Sequence, residues 1–241
     1  MKSLYFVMLL FVPMILTGIE GFYFLPWLHA DHQDSIIPLK QNLDLPFDAG
    51  GGGGEEEEAT EFIIFYGQIY EGDGFFYCID GSLSMADGEF QILKRELARN
   101  IREFSPRVQF GIVFFNKEIA VFPADKKPAS ATLSNRQAAI AWSEELQPGN
   151  WTCLLEGLRE ALILSNKATV ARKAVILMSD GKPACPGMDY VTYLEQIFRE
   201  AAFLNSGKAL IHAIGIGADV NEPFLAGLAR QHGGTYRRIP H

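Results

Sequence analysis

Oxygen-bearing side chains follow a strongly apolar run in the first half of the chain. Residues 75–79 read Phe-Phe-Tyr-Cys-Ile, and Asp80, Ser82 and Ser84 come next with one residue between each. One carboxylate and two hydroxyls at this spacing are the beginning of an oxygen cage for a hard divalent cation such as Mg²⁺. The pattern Asp-x-Ser-x-Ser is weak by itself, because serine commonly caps helices or closes turns.

Two further oxygen-bearing residues are expected near this first group. The apolar run before Asp80 predicts a strand buried on both faces of a parallel sheet, and such strands carry their last residues to the edge where open α/β folds bind ligands. Asp180 follows a second apolar strand, and Thr152 lies in a loop just before a helix. Each has a structural alternative, since Thr152 would also serve as a helix cap and Asp180 as part of a turn.

The rest of the domain alternates between strand and helix patterns. Strands are predicted over residues 75–80, 108–116, 119–122, 174–178, 210–216 and 235–239, with an edge strand over 62–70, and helices over 88–104, 133–146, 153–164, 190–204 and 223–232. Regular alternation of this kind predicts an α/β fold with a doubly wound, mostly parallel central sheet and helices on both faces.

The first sixty residues differ in character from the predicted domain. Residues 1–30 combine a charged start with apolar runs, which predicts either a signal peptide or a membrane anchor. Residues 31–60 contain five consecutive glycines and four consecutive glutamates, the composition of a flexible linker. The folded domain is therefore expected over 61–241, outside the cytoplasm, and either secreted or anchored through its amino terminus.

Charge and cysteine content limit the possible partners. The formal net charge is −8 and no basic stripe is visible, so nucleic acid is excluded as an expected partner. Membrane contact is expected only through the amino-terminal segment. Of the three cysteines, Cys78 is expected in the core, whereas Cys153 and Cys185 are left open between a disulfide and two free thiols.

From Phe75 to Ile239 the sequence resembles the von Willebrand factor type A domain, and within it bacterial secreted members. The metal-ion-dependent adhesion site of that family consists of an Asp-x-Ser-x-Ser loop, a distant threonine and a distant aspartate. The residues that match these positions, in order, are Asp80, Ser82, Ser84, Thr152 and Asp180. Two departures are visible: Gly81 replaces a more usual aliphatic or acidic residue, which we expect to be harmless, and Trp151 stands where glycine often precedes the threonine.

The resemblance implies a protein-binding module that depends on Mg²⁺, with Mn²⁺ or Ca²⁺ as alternative ions. An acidic side chain of a protein ligand would complete the coordination sphere of the metal. Trp151, Lys182 and Met85 are the residues expected to contact that ligand.

Two other functions remain as alternatives. In the first, the domain is structural and a metal serves only to hold its loops. In the second, less favoured, the site is a metal-assisted hydrolase, but no nucleophile motif is present and no general base lies near. His212 lies inside an apolar strand, where a core position is expected. The sequence therefore predicts a binding protein and not an enzyme.

Overall fold

The fold is that of a computed structural model, which describes residues 60–85 and 88–239. The nine strands of these residues are β1 (Phe62–Phe65), β2 (Gln68–Glu71), β3 (Gly74–Asp80), β4 (Gln109–Phe115), β5 (Ile119–Phe122), β6 (Ala129–Ser130), β7 (Lys173–Ser179), β8 (Leu210–Gly215) and β9 (Tyr236–Arg238). The five α-helices are α1 (Glu89–Glu103), α2 (Leu133–Glu145), α3 (Leu154–Asn166), α4 (Tyr190–Leu204) and α5 (Glu222–Gln231).

The predicted amino-terminal segments lie outside this description. They are the signal peptide or anchor over residues 1–30 and all of the predicted linker except Thr60. In the part of the chain that the structure describes, no helix has both the length and the apolar character that crossing a bilayer requires.

The main sheet has the mostly parallel architecture that the sequence predicts. Its strands follow the order β5-β4-β3-β7-β8-β9, and β6 pairs with β4. The pairs among β4, β3, β7, β8 and β9 are parallel, and only β5 and β6 run antiparallel to their neighbour β4. All seven residues of β3 are buried, as the apolar run before Asp80 indicates for a central strand.

Both faces of the sheet are covered, which confirms the doubly wound α/β fold. Alternate residues of β3 enter two separate cores: Tyr77 and Ile79 pack with α1 and α2, whereas Phe76 and Cys78 pack with α3, α4 and α5. Each large apolar side chain buried in this way contributes about 1.5–3 kcal/mol. Burial on both faces therefore fixes β3, and with it the position of Asp80.

The prediction of one edge strand over residues 62–70 is wrong. This segment forms a hairpin of β1 and β2 in a sheet of its own. The chain turns at Tyr66 and Gly67, whose φ angles are 48° and 71°. The hairpin sends three apolar side chains into the core on the α1 side of the main sheet, namely Ile63, Phe65 and Tyr70. The hairpin therefore covers part of the main sheet, whereas an edge strand would have extended that sheet.

His212 lies on β8 and is buried, as expected. The backbone N–H of Thr235 donates to its Nδ1 at 3.1 Å, and the Tyr70 ring packs edge-on with ring centroids 4.8 Å apart. Its Nε2 has no hydrogen-bond partner among the described residues. Burial disfavours the charged imidazolium and lowers the pKa of His212 to about 4.

This burial predicts a pH-dependent contribution to stability. Above about pH 6.5 His212 is neutral in both the folded and unfolded chains, and between pH 6.5 and 4 only the unfolded chain takes up the proton. The free energy of unfolding should therefore fall, by roughly 2 kcal/mol, as the pH drops through this range.

Chemical denaturation of the native protein and His212→Gln between pH 7 and 4, with chelator present, measures this contribution. Other groups titrate in both proteins, so the informative quantity is the difference between their unfolding free energies. We expect the advantage of the native protein to shrink as the pH falls. A difference that stays constant across the range contradicts the prediction.

Candidate metal centre

The five residues matched to the adhesion site all lie at the carboxyl edge of the main sheet. Asp80 ends β3 and Asp180 follows β7, and these strands are parallel neighbours in which Ile79 pairs with Met178. An open pocket of about 550 Å³ is present at this edge, and the four candidate ligands that line it are Ser82, Ser84, Thr152 and Asp180. The fifth, Asp80, is fully buried and hydrogen-bonded to Ser82.

The carboxylate of Asp80 is held by two donors. Its Oδ1 accepts from the Ser82 N–H at 2.9 Å, and its Oδ2 accepts from the Ser179 hydroxyl at 2.6 Å. Burial raises the pKa of Asp80 to about 7, because desolvation outweighs the hydrogen bonds that favour the charged form. Ser179 could not be predicted as a partner of Asp80, because it belongs to no motif and reaches Asp80 through the pairing of β7 with β3.

Neither serine of the first loop serves as a cap for α1. The loop continues into a single 3-10 turn over Leu83–Met85, and the N-cap of α1 is Gly88, which makes no side-chain cap hydrogen bond. The Oγ atoms of Ser82 and Ser84 lie 2.9 Å apart, and both residues line the pocket. Their hydroxyls are thus directed to one place and are not used in capping the following helix.

Thr152 is likewise not the cap of α3. The N-cap of that helix is Cys153, and no side-chain cap hydrogen bond is present. Thr152 is only 6% exposed and lines the pocket. The structural alternative does hold in part for Asp180, whose Oδ1 accepts from the Lys182 N–H at 2.9 Å and so closes a turn.

Two of the three residues expected to contact a partner lie at the pocket. Trp151 is 48% exposed, and Lys182 lines the same pocket while its Nζ forms an ion pair with Asp219. The prediction that Met85 contacts a partner is wrong, because Met85 is fully buried in the core and presents no surface to a partner. Leu83 was missed; it lines the pocket and is 54% exposed, an apolar residue between two serines.

Gly81 is required by the packing of the first loop. A Cβ atom at this position would lie 1.9 Å from Cζ of Phe114, well inside any real contact. Gly81 does not have a positive φ angle. Glycine is therefore required by the lack of space beside Phe114 and not by the backbone conformation. The Phe114 ring therefore occupies the space that the side chain of the family's more usual residue would need.

Cys153 and Cys185, whose pairing the sequence leaves open, form a disulfide with a Cα–Cα distance of 4.7 Å. Cys153 directly follows Thr152, and Cys185 lies in the loop after Asp180. Cys78 is a free thiol in the core, as expected.

The donor set fits a hard cation. Three hydroxyls and one carboxylate line the pocket above a second carboxylate, so all the candidate ligands are oxygens. Mg²⁺, Mn²⁺ and Ca²⁺ prefer such ligands, whereas Zn²⁺ and Cu⁺ favour nitrogen or sulfur.

A family model described as the von Willebrand factor type A domain matches residues 78–238, which include the end of β3 and all five candidate ligands. The chain belongs to this family.

Relatives and solved structures agree with this assignment of a type A domain. The chain is 27% identical over 170 residues to inter alpha-trypsin inhibitor, heavy chain 4, of Mus musculus, which covers 68% of the chain and 17% of that protein. It is 28% identical over 170 residues to the H4 heavy chain of Homo sapiens, covering 68% of the chain and 18% of that protein. The chain thus spans less than a fifth of the length of these relatives.

Similar folds occur in solved structures of low sequence identity. The von Willebrand factor type A protein of Catenulispora acidiphila has a TM-score of 0.62 at 21% identity, with 72% of this chain and 40% of that one covered. The pilus adhesin SpaC of Lactobacillus rhamnosus GG has a TM-score of 0.56 at 14% identity, with 70% and 28% covered. At these identities the similarity establishes the fold of the type A domain.

Two threonines that precede helices, Thr132 and Thr152, provide a matched test of the site. Thr132 is the N-cap of α2 and accepts from the Asn135 N–H at 3.3 Å, whereas Thr152 caps no helix. With chelator present, Thr132→Val should lower the free energy of unfolding by about 1 kcal/mol, and Thr152→Val should change it by less than about 0.5 kcal/mol. Urea denaturation measures both. An equal loss in the two variants means that Thr152 has a structural role after all.

Proposed function

We propose that this type A domain binds Mg²⁺ and, through it, an acidic side chain of a protein partner. The metal ligands would be Asp80, Ser82, Ser84, Thr152 and Asp180. The observation that carries the proposal is the convergence of four of these side chains on one open pocket above the buried fifth. Three of them supply hydroxyls that do not cap the helices that follow them.

The charges of the ligands explain why a partner carboxylate would be attracted. Asp80 and Asp180 together balance a divalent cation, and the serine and threonine hydroxyls are neutral. A bound cation would supply positive charge at the mouth of the pocket and would favour the ionised form of Asp80, which burial otherwise disfavours. Mg²⁺ retains exchangeable water positions, so an oxygen from outside has room to bind.

The rim of the pocket indicates how a partner would be held. Lys182 carries a positive charge at the rim, while Trp151 and Leu83 expose apolar surface on the same pocket. Exposed aromatic residues are frequent anchors of protein interfaces. A carboxylate flanked by apolar residues is therefore the partner chemistry that this rim favours.

An extracytoplasmic location is part of the proposal. The Cys153–Cys185 disulfide is typical of oxidising compartments, which supports the export that the amino-terminal sequence predicts. The signal peptide or membrane anchor over residues 1–30 stays a prediction, and so does the resemblance to bacterial secreted members.

A hydrolytic function is supported less well than binding. The residues that line the pocket in the described part of the chain include no histidine, and His212 is buried in the core with Tyr70 and Thr235. A general base must reach the reacting water to act, and the one carboxylate among the described residues that line the pocket is Asp180, which the proposal uses as a metal ligand. The purely structural alternative is separated from binding by the experiments below.

Metal binding is tested by titrating the purified protein with Mg²⁺ in a calorimeter. We expect one ion per chain, and we expect Asp180→Asn to raise the dissociation constant at least about tenfold because a charged ligand is lost. Asp125→Asn, which removes a charge from an exposed loop, is the matched control and should bind as the native protein does. If the native protein takes up no ion, the five residues are structural and the proposal is abandoned.

Partner chemistry is tested with a fluorescent heptapeptide that has one central aspartate between leucines. In Mg²⁺ the native protein should bind it, and either chelator or replacement of the aspartate by asparagine should abolish binding. Lys182→Gln and Trp151→Asn should weaken peptide binding while metal uptake is unchanged, and asparagine is chosen because it tolerates the positive φ of Trp151. Phe203→Ser, a change at an exposed residue near the end of α4, is the control. Binding that survives chelation contradicts the metal-dependent mode.

A further inference from the structure

A short backbone clip lies beside the candidate metal centre. The N–H of Thr152 donates to the Ala184 carbonyl at 2.8 Å, and the N–H of Ala184 donates to the Thr152 carbonyl at 3.0 Å. The next residue on each side, Cys153 and Cys185, closes the clip with the disulfide. Two hydrogen bonds and one covalent bond thus join the loop of Thr152 to the loop that follows Asp180.

The loop that carries Thr152 needs such a restraint. Trp151 has a φ angle of 71°, a left-handed conformation that is unfavourable for a residue with a large side chain. On the side away from the clip, the Cys153 N–H donates to the Asn116 carbonyl at 2.9 Å and the Lys117 N–H donates to the Asn150 carbonyl at 3.2 Å. The backbone of Thr152 is therefore held from two sides, by the β4–β5 turn and by the clip.

The clip restrains loops more than it restrains the sheet. The elements between its two cysteines are α3 and β7, which are already fixed by packing into the core and by parallel pairing with β3 and β8. What the sheet does not fix is the position of Thr152 relative to Asp180, because these residues come from loops separated in the chain. The clip connects these two loops directly.

We propose that the Cys153–Cys185 clip sets the affinity of the domain for Mg²⁺ by holding Thr152 in position to bind the ion. This inference rests on the proposed function, and it assigns the disulfide a positioning role that goes beyond stability. Removing groups that orient metal ligands typically weakens metal binding about 10- to 100-fold, and a change of that size is expected here.

The test compares Mg²⁺ binding by the native protein and by the double variant Cys153→Ser/Cys185→Ser. The variant should remain folded by circular dichroism and should have a dissociation constant raised about tenfold or more. An unchanged constant in a folded variant overturns the role of the clip. Absence of Mg²⁺ uptake by the native protein is a different result, because it overturns the proposed function itself.

A second comparison separates positioning from a general effect on stability. Both proteins are also made with Thr152→Val, which removes the hydroxyl that the clip is proposed to hold. If the clip acts through Thr152, breaking it in this background should change the dissociation constant by less than about twofold. An equally large loss in both backgrounds means that the disulfide does not act through Thr152, and the proposal fails.

Reduction of the folded native protein with a phosphine provides the same comparison if the serine variant does not fold. Thiol titration reports the reduced fraction, and the same rise in the dissociation constant is expected. Mg²⁺ is the proper probe, because the two sulfur atoms and a carboxylate oxygen of Glu156 lie within 4.8 Å of one another. A thiophilic ion such as Zn²⁺ would bind these thiols directly and obscure the result.

Discussion

The burial of one carboxylate is the constraint on which this domain's candidate site depends. Asp80 lies at the end of a strand with no exposed residue, where an ionised group is strongly disfavoured. The surrounding structure compensates in part, with hydrogen bonds from the Ser82 backbone and the Ser179 hydroxyl. The remaining cost is visible in the raised pKa of Asp80, and the divalent cation of the proposed function would supply a counter-charge.

Both the sheet and the loops position the residues of the candidate site. Parallel pairing of β3 with β7 brings the two acids to one edge, and this follows from the fold alone. The hydroxyls come from loops, whose positions are fixed by specific backbone contacts such as the bond from the Gly149 N–H to the Gly81 carbonyl at 2.8 Å. Loops anchored in this way present ligands with little conformational freedom left to lose.

Much of the architecture could be predicted from the sequence because it follows from apolar patterns. The helices α1 to α5 and the central strands were located within a few residues, and the position of each acid at the end of an apolar strand predicted that both lie at one edge. The hairpin was mistaken for one strand because its turn at Tyr66 and Gly67 lacks the usual Asn-Gly or Asp-Gly signal.

What could not be predicted depends on contacts between distant residues. The hydrogen bond of Ser179 to Asp80 spans 99 positions in the chain, and no local spacing indicates it. Met85 was expected to contact a partner, but the 3-10 turn over Leu83–Met85 places it in the core. The disulfide could not be predicted because the sequence does not show that the loops of Cys153 and Cys185 lie side by side.

The contact between Gly81 and Phe114 limits how this domain can change. A side chain at position 81 would overlap the ring, and overpacking of this kind typically costs about 1–3 kcal/mol. A side chain at position 81 would therefore require the Phe114 ring to move or a smaller residue to replace it. Substitutions at the two positions are therefore coupled, and position 114 constrains the first loop of the candidate site although its side chain lies in the core.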